Sequence, residues 1–89
     1  MSPTQESLIT YPSAFPIKVM GSNEDGFAQA IAEVVREHDP DFDPQSMEHR
    51  PSKAGNYLGL TVTVTATSRE QLDNLYQALT SHPMVKVVL

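Results

Sequence analysis

Residues 57–67 read Tyr-Leu-Gly-Leu-Thr-Val-Thr-Val-Thr-Ala-Thr, an alternation of apolar and polar side chains. Successive strand side chains point to opposite faces. Leu58, Leu60, Val62, Val64 and Ala66 therefore share one face, and Tyr57, Thr61, Thr63, Thr65 and Thr67 share the other. Such a strand has one face on a core and one toward water or a partner, as in an antiparallel sheet covered on one side.

The rest of the chain supplies the other parts of such a sheet. Residues 15–20 alternate as a first strand, with Phe15, Ile17 and Val19 inward and Pro16, Lys18 and Met20 outward. Gly21, Ser22 and Asn23 turn the chain into a helix, with Ser22 or Asn23 as its cap and Glu24 and Asp25 at its positive start. Phe27, Ala30, Ile31, Val34 and Val35 recur at helical spacing, and Asp39-Pro40 ends that helix. Residues 39–44 are a loop with two prolines, residues 45–50 a short edge strand, and residues 51–56 a turn-rich connection. Ser68 with Gln71, or Thr67 with Glu70, makes a capping box for a second helix whose stripe is Leu72, Leu75, Tyr76 and Leu79. Residues 84–89 form the last strand, with Val85, Val87 and Leu89 on one face.

Strand, helix, strand, strand, helix, strand is the split βαβ pattern of an α+β ferredoxin-like sandwich. Right-handed crossovers give the sheet order 4-1-3-2 with both helices on one face, so the long third strand lies beside the first and strands two and four are edges. At 89 residues the chain has the size of one domain, here residues 13–89 preceded by a flexible arm, residues 1–12.

Composition narrows the function. There is no cysteine, which excludes disulfides and thiolate metal sites. The first residues lack a signal-peptide pattern and no stretch has the ~20 apolar residues of a membrane span, so a cytoplasmic protein without a membrane partner is expected. With 11 acids against 6 bases, the chain is unsuited to non-specific nucleic-acid binding, which depends on phosphate neutralisation.

Several chemical motifs fail on their own requirements. Gly21-Ser-Asn-Glu-Asp-Gly26 has the glycine spacing of a phosphate loop, but Phe27-Ala28 replaces its Lys-Ser/Thr pair, and Glu24 and Asp25 would repel phosphate. Asp39, Asp41 and Asp43 have calcium-loop spacing, but Pro44 stands where glycine is needed and Arg50 where a bidentate glutamate is needed. His38, His49 and His82 show no ligand spacing, and no serine sits in a nucleophile elbow. Acylphosphatases share the topology, but the first loop has no arginine and the third strand no asparagine. RNA-recognition modules share it too, but only Tyr57 is an outward aromatic. No enzyme, cofactor or metal is expected.

What remains is the open sheet face. The expected order makes Lys18 and Lys86 neighbours, flanked by Met20, Thr61, Thr63, Thr65 and Met84. Such a face suits an acidic partner or a second copy, although threonine also suits a merely solvated strand. Unpaired strand edges offer a second route, sheet extension between subunits.

Phe15-Pro-Ile-Lys-Val-Met-Gly21, Pro51-Ser-Lys-Ala-Gly-Asn-Tyr57, the threonine-rich strand and Val85-Lys-Val-Val-Leu89 together resemble the YbeD-like family of small bacterial proteins, a domain of unknown function. The family's turn lysine often directly precedes the glycine, whereas here Lys53 precedes Ala54. The resemblance implies a fold similar to ACT regulatory domains, which often bind amino acids near a glycine between the first strand and helix. By that analogy Gly21, Ser22 and Asn23 are candidate ligand residues, in a homodimer sensing a small metabolite. The first expectation remains a non-enzymatic regulatory or interaction module acting on a protein partner in trans.

Overall fold

The computed structural model describes residues 10–89. Its elements are β1 (Ser13–Ser22), α1 (Phe27–His38), a 3-10 turn (Pro44–Ser46), β2 (Glu48–Pro51), β3 (Tyr57–Ala66), α2 (Arg69–Thr80) and β4 (Val85–Val88). The strands form one antiparallel sheet in the order β2-β3-β1-β4, which is the expected ferredoxin-like arrangement. The arm expected over residues 1–12 lies largely outside the described residues, and Tyr11 is half-buried against the core.

β1 and β3 pair along ten positions, from Ser13 opposite Ala66 to Ser22 opposite Tyr57. Their inward residues Ile17, Val19, Leu60, Val62 and Val64 are buried beneath Phe27, Ile31 and Val35 of α1 and Leu72, Leu75 and Leu79 of α2. Each such side chain contributes about 1.5–3 kcal/mol. Phe42 and Met47, on either side of the 3-10 turn, are buried as well and close the core beside β2. That turn replaces the start of the expected edge strand. Pro44 opens it, and the Asp43 carboxylate accepts the Gln45 N–H at 2.9 Å.

Pro16 sits inside a central strand, where a missing N–H normally removes a ladder bond. Here the loss is harmless. Lys18 directs its N–H and C=O to Leu89, on the β4 side. By strand alternation Pro16 faces that side too, beyond the end of β4.

α1 begins later than expected. Ser22 is the last residue of β1, and Asn23 ties that end to the β2–β3 hairpin. Its N–H donates to the Asn56 carbonyl at 2.9 Å and its Nδ2 to the Gly55 carbonyl at 3.0 Å. The helix cap is Gly26 at φ 85°, a left-handed conformation that a Cβ disfavours. α2 starts at the expected cap, with Ser68 Oγ accepting the Gln71 N–H at 3.0 Å. The Gln71 side chain reaches further back than a capping box requires, its Oε1 accepting the Thr67 N–H at 2.7 Å.

That glutamine belongs to a junction joining three elements. Its Nε2 donates to the Thr65 carbonyl at 3.1 Å and to the His38 carbonyl at 2.9 Å. Asp39, only 4% exposed, accepts the Thr65 N–H through Oδ2 at 2.9 Å and the Asp41 N–H through Oδ1 at 3.3 Å. β2 pairs no further along β3 than Thr61, so two side chains satisfy the edge groups of Thr65 that a neighbouring strand would otherwise take.

β4 departs from simple alternation. Met20 faces Val87, but Gly21 faces Val85, so Lys86 is an extra residue in a bulge. Val85 and Val88 therefore both pack toward the core, while Val87 is turned out. This corrects the expected shared face of Val85, Val87 and Leu89. It also corrects the expected neighbours: Lys18 exchanges backbone bonds with Leu89 at 3.1 and 2.8 Å, and Lys86 lies at the level of Met20 and Gly21. Gly21 is central to the bulge. A Cβ there would overlap the Met84 carbonyl oxygen and lie 2.7 Å from Phe27 Cζ.

Two stability predictions result. Asp39→Ala leaves the Thr65 and Asp41 N–H groups without their acceptor and should cost about 2–3 kcal/mol, against a smaller loss for Asp39→Asn, read by urea unfolding. Equal stability of Asp39→Ala and the unmodified protein would refute the junction's role. Gly21→Ala should cost about 2–3 kcal/mol through overpacking, lowering the thermal midpoint by roughly 10 °C or more. A Gly21→Ala protein that melts within a degree or two of the original would show that this backbone approach is not needed.

Candidate functional site

The helices leave one face of the sheet uncovered, and the register arranges that face in rows. Glu48, Thr61, Lys18 and Leu89 form one row from β2 across to the end of β4. Arg50, Gly59, Met20 and Val87 form the next, with Tyr57 and Ser22 beyond it. Gly59 contributes no side chain, so the second row has a dip at its centre. A Cβ built there would lie 3.5 Å from the Arg50 carbonyl oxygen and 3.9 Å from Met20 Cγ. Around this dip runs a shallow groove of about 480 Å³, bounded by Lys18, Met20, Arg50, Tyr57, Thr61 and Leu89.

Exposed apolar side chains gather in and beside the groove. Met20 is 39% exposed, Val87 45%, Tyr57 50% and Leu89 67%. Among the described residues these are the large hydrophobic side chains left in the open, and all four project from this one face. The bulge is responsible for part of the patch, because it turns Val87 outward beside Met20. Around the patch stand the charges of Lys18, Glu48, Arg50 and Lys86, all exposed.

Of the residues singled out from sequence, Lys18, Met20 and Thr61 border the groove. Thr63 and Thr65 lie further along the same outward face, opposite Pro16 and Ala14 and beyond the groove, and Lys86 is in the bulge beside it. Arg50, Gly59, Val87 and Leu89 were missed as site residues. Arg50 and Gly59 join the site through cross-strand pairing, which local pattern does not reveal. Val87 and Leu89 were grouped on one face with Val85, from which the bulge separates them, and the bulge has no signature in hydrophobic alternation.

Gly21, Ser22 and Asn23 lie elsewhere and border neither this groove nor the smaller cavity described below. Gly21 is buried beneath Phe27 and against Met84, and Ser22 is paired with Tyr57. Asn23 is bonded to the hairpin through both its backbone and its side chain. Their observed contacts fasten the β1–α1 connection in place.

The groups with chemical potential are dispersed. A second cavity of about 360 Å³ lies between α1 and the segment before β2, bordered by Ala32, Arg36, Met47 and His49. His38 Nδ1 donates to the Val34 carbonyl at 3.0 Å, and His82 Nδ1 accepts the Met84 N–H at 3.2 Å. Ser52 Oγ accepts the Tyr57 N–H at 3.1 Å, holding the hairpin. Among the described residues, no three His, Asp or Glu side chains gather as a metal ion would require. No helix among them is long and apolar enough to cross a membrane. What the groove offers is contact area: an apolar floor with a central dip, ringed by charge.

Comparison with known proteins places the chain among bacterial relatives. The family described as "Protein of unknown function (DUF493)" matches residues 6–89. A UPF0250 protein of Bordetella pertussis is 68% identical over 87 residues, covering 98% of this chain and 96% of that protein. One from Leptothrix cholodnii is 67% identical with the same coverage. Another, from Ralstonia nicotianae, is 66% identical over 88 residues, covering 99% of this chain and 91% of that protein. The solution structure of protein HP0495 from H. pylori matches with a TM-score of 0.74 over 91% of this chain and 85% of that one. At 17% identity that is a likeness of fold. By its family match and its close relatives, the chain belongs to the DUF493 family, the UPF0250 or YbeD-like proteins that its motifs resemble.

Proposed function

We propose that this protein is a non-catalytic binding module that engages another protein through the uncovered face of its sheet and regulates it in trans. The observation that carries this reading is the gathering of Met20, Tyr57, Val87 and Leu89 on one face. Isolated exposed hydrophobic residues are ordinary, but a contiguous group ringed by polar side chains is a mark of an interaction surface. The Gly59 dip adds shape to that surface, since a partner side chain can seat between Arg50 and Met20. Catalysis has less support. His38, His82 and Ser52 make backbone hydrogen bonds, and among the described residues no serine or threonine hydroxyl is hydrogen-bonded to a histidine or a carboxylate.

The dip supplies a test that separates binding from folding. In Gly59→Thr the new Cβ meets ordinary van der Waals contacts, and threonine suits a strand better than glycine. The variant should therefore be as stable as the unmodified protein, or up to about 1 kcal/mol more stable. It should nevertheless lose the proteins captured by cross-linking in lysate from the native host, as should Met20→Asp. If both variants capture the same proteins as the unmodified chain, the sheet face is not the binding surface.

A further inference from the structure

Side-chain charge is divided unequally between the two sides of this molecule. The strands of the open face carry Lys18, Arg50 and Lys86 against the single carboxylate of Glu48. The chain as a whole has a net charge of −5, and most of its acids lie elsewhere. Glu33 and Glu37 are on α1, Glu70 and Asp73 on α2, and Asp39, Asp41 and Asp43 follow α1. A cationic face on an acidic body is thus built into the topology, because both helices, with four acids against Arg36 and Arg69, pack on the other side.

The cations of this face also lack carboxylate partners among the described residues. Among the described residues no carboxylate forms an ion pair with Lys18, Arg50 or Lys86, whereas Arg69 on α2 lies 4.0 Å from Asp73. Glu48 leaves the local excess of positive charge largely in place. Lys18 and Arg50 occupy adjacent rows on opposite sides of Gly59. Two strand spacings and one residue pair separate them, roughly 12 Å between Cα atoms. An extended polypeptide covers that span in about four residues.

We infer that the occupant of the sheet face is an acidic polypeptide segment with an apolar residue between its carboxylates. This rests on the proposal above that the sheet face binds protein. The apolar side chain seats over Gly59, against Met20, Val87 and Tyr57, while carboxylates on either side meet Lys18 and Arg50. Lys86 in the bulge extends the same field and steers the segment as it approaches. Charge argues against the other occupants. Two copies meeting face to face would bring these cations toward their own equivalents, a juxtaposition that complementary interfaces avoid. The cationic face of one copy on the acidic helices of another is a head-to-tail contact, which closes only at special rotations. A nucleic acid would meet the net negative body and find only Tyr57 to stack upon.

The probes are three fluorescein-labelled peptides: one with leucine flanked by glutamates about four residues apart, one with lysine for each glutamate, and one with serine for leucine. Fluorescence anisotropy should show that the protein binds the first peptide and neither of the others. The Lys18→Glu/Arg50→Glu variant should bind it at least about tenfold more weakly, and raising salt from about 0.05 to 0.3 M should weaken it as well. Thermal melting checks that the variant is folded, as expected for exposed surface positions. The inference is overturned if the acidic peptide does not bind, if the lysine peptide or a single-stranded oligonucleotide binds as tightly, or if charge reversal changes nothing. It is also overturned if light scattering shows a dimer that Gly59→Thr dissolves, since a second copy would then be the occupant. The lysate capture separates the two levels of the argument. Proteins lost with Gly59→Thr but kept with Lys18→Glu/Arg50→Glu would overturn the acidic partner and leave the sheet face standing, whereas proteins kept with Gly59→Thr would remove both.

Discussion

The ten-position pairing of β1 with β3 is the constraint on which the rest of the molecule depends. Both strands have a period of two, so one register decides simultaneously which side chains meet the helices and which face outward. Ile17 beside Val62 and Val19 beside Leu60 make the floor on which α1 and α2 rest. The same register sets Lys18 beside Thr61 and Met20 beside Gly59 on the other side. A slip of one residue would bury Lys18 and expose Ile17, a large penalty that makes the alignment effectively unique. The outward rows are therefore as firmly specified as the core, although nothing among the described residues covers them.

Much of this was legible in the sequence, and the legible parts have a common origin. Leu58, Leu60, Val62, Val64 and Ala66 announce β3, and Phe27, Ile31 and Val35 announce α1, because burial on one side imposes a local period. The cap at Ser68 was legible for a similar reason, since its bond to Gln71 joins residues three apart. What escaped depends on distant partners. Asp39 looks like a helix-ending residue until β3 brings the Thr65 N–H to it, 26 positions away in sequence. Phe42 stands in an aperiodic loop with two prolines, so no pattern marks it as core. The start of α1 was misplaced because Ser22 and Asn23 resemble caps, yet the longer β1 and the hairpin contacts claim them first. Analogy of fold placed Gly21 at a candidate ligand loop, whereas its close packing against Phe27 and Met84 is a tertiary fact that no local pattern records.

The candidate site was legible only in part, for the same physical reason. Lys18, Met20 and Thr61 carry strand alternation and could be assigned to the outward face. The dip, however, is formed by a glycine inside the most regular strand of the chain, where sequence pattern records merely a missing polar residue. The apolar patch depends on a bulge whose extra residue, Lys86, is indistinguishable from an ordinary outward position until its pairing is known. Irregularities of this kind are common where a sheet is adapted to a task, since regular pleating alone produces a featureless surface.

Pro16 and the Asp39–Gln71 junction have a joint consequence for how copies of this chain behave when crowded. The two central strands each outrun their outer neighbour, which leaves backbone positions past Leu89 on one side and past Thr61 on the other. A strand added beyond Leu89 would meet a proline with no N–H to offer, and one added beyond Thr61 would find the Thr65 groups already taken. Both overhangs are thus poor templates for cross-β growth, the hazard that small open sheets otherwise carry in concentrated solution. The exposed apolar patch is therefore flanked by central-strand overhangs poorly suited to further pairing.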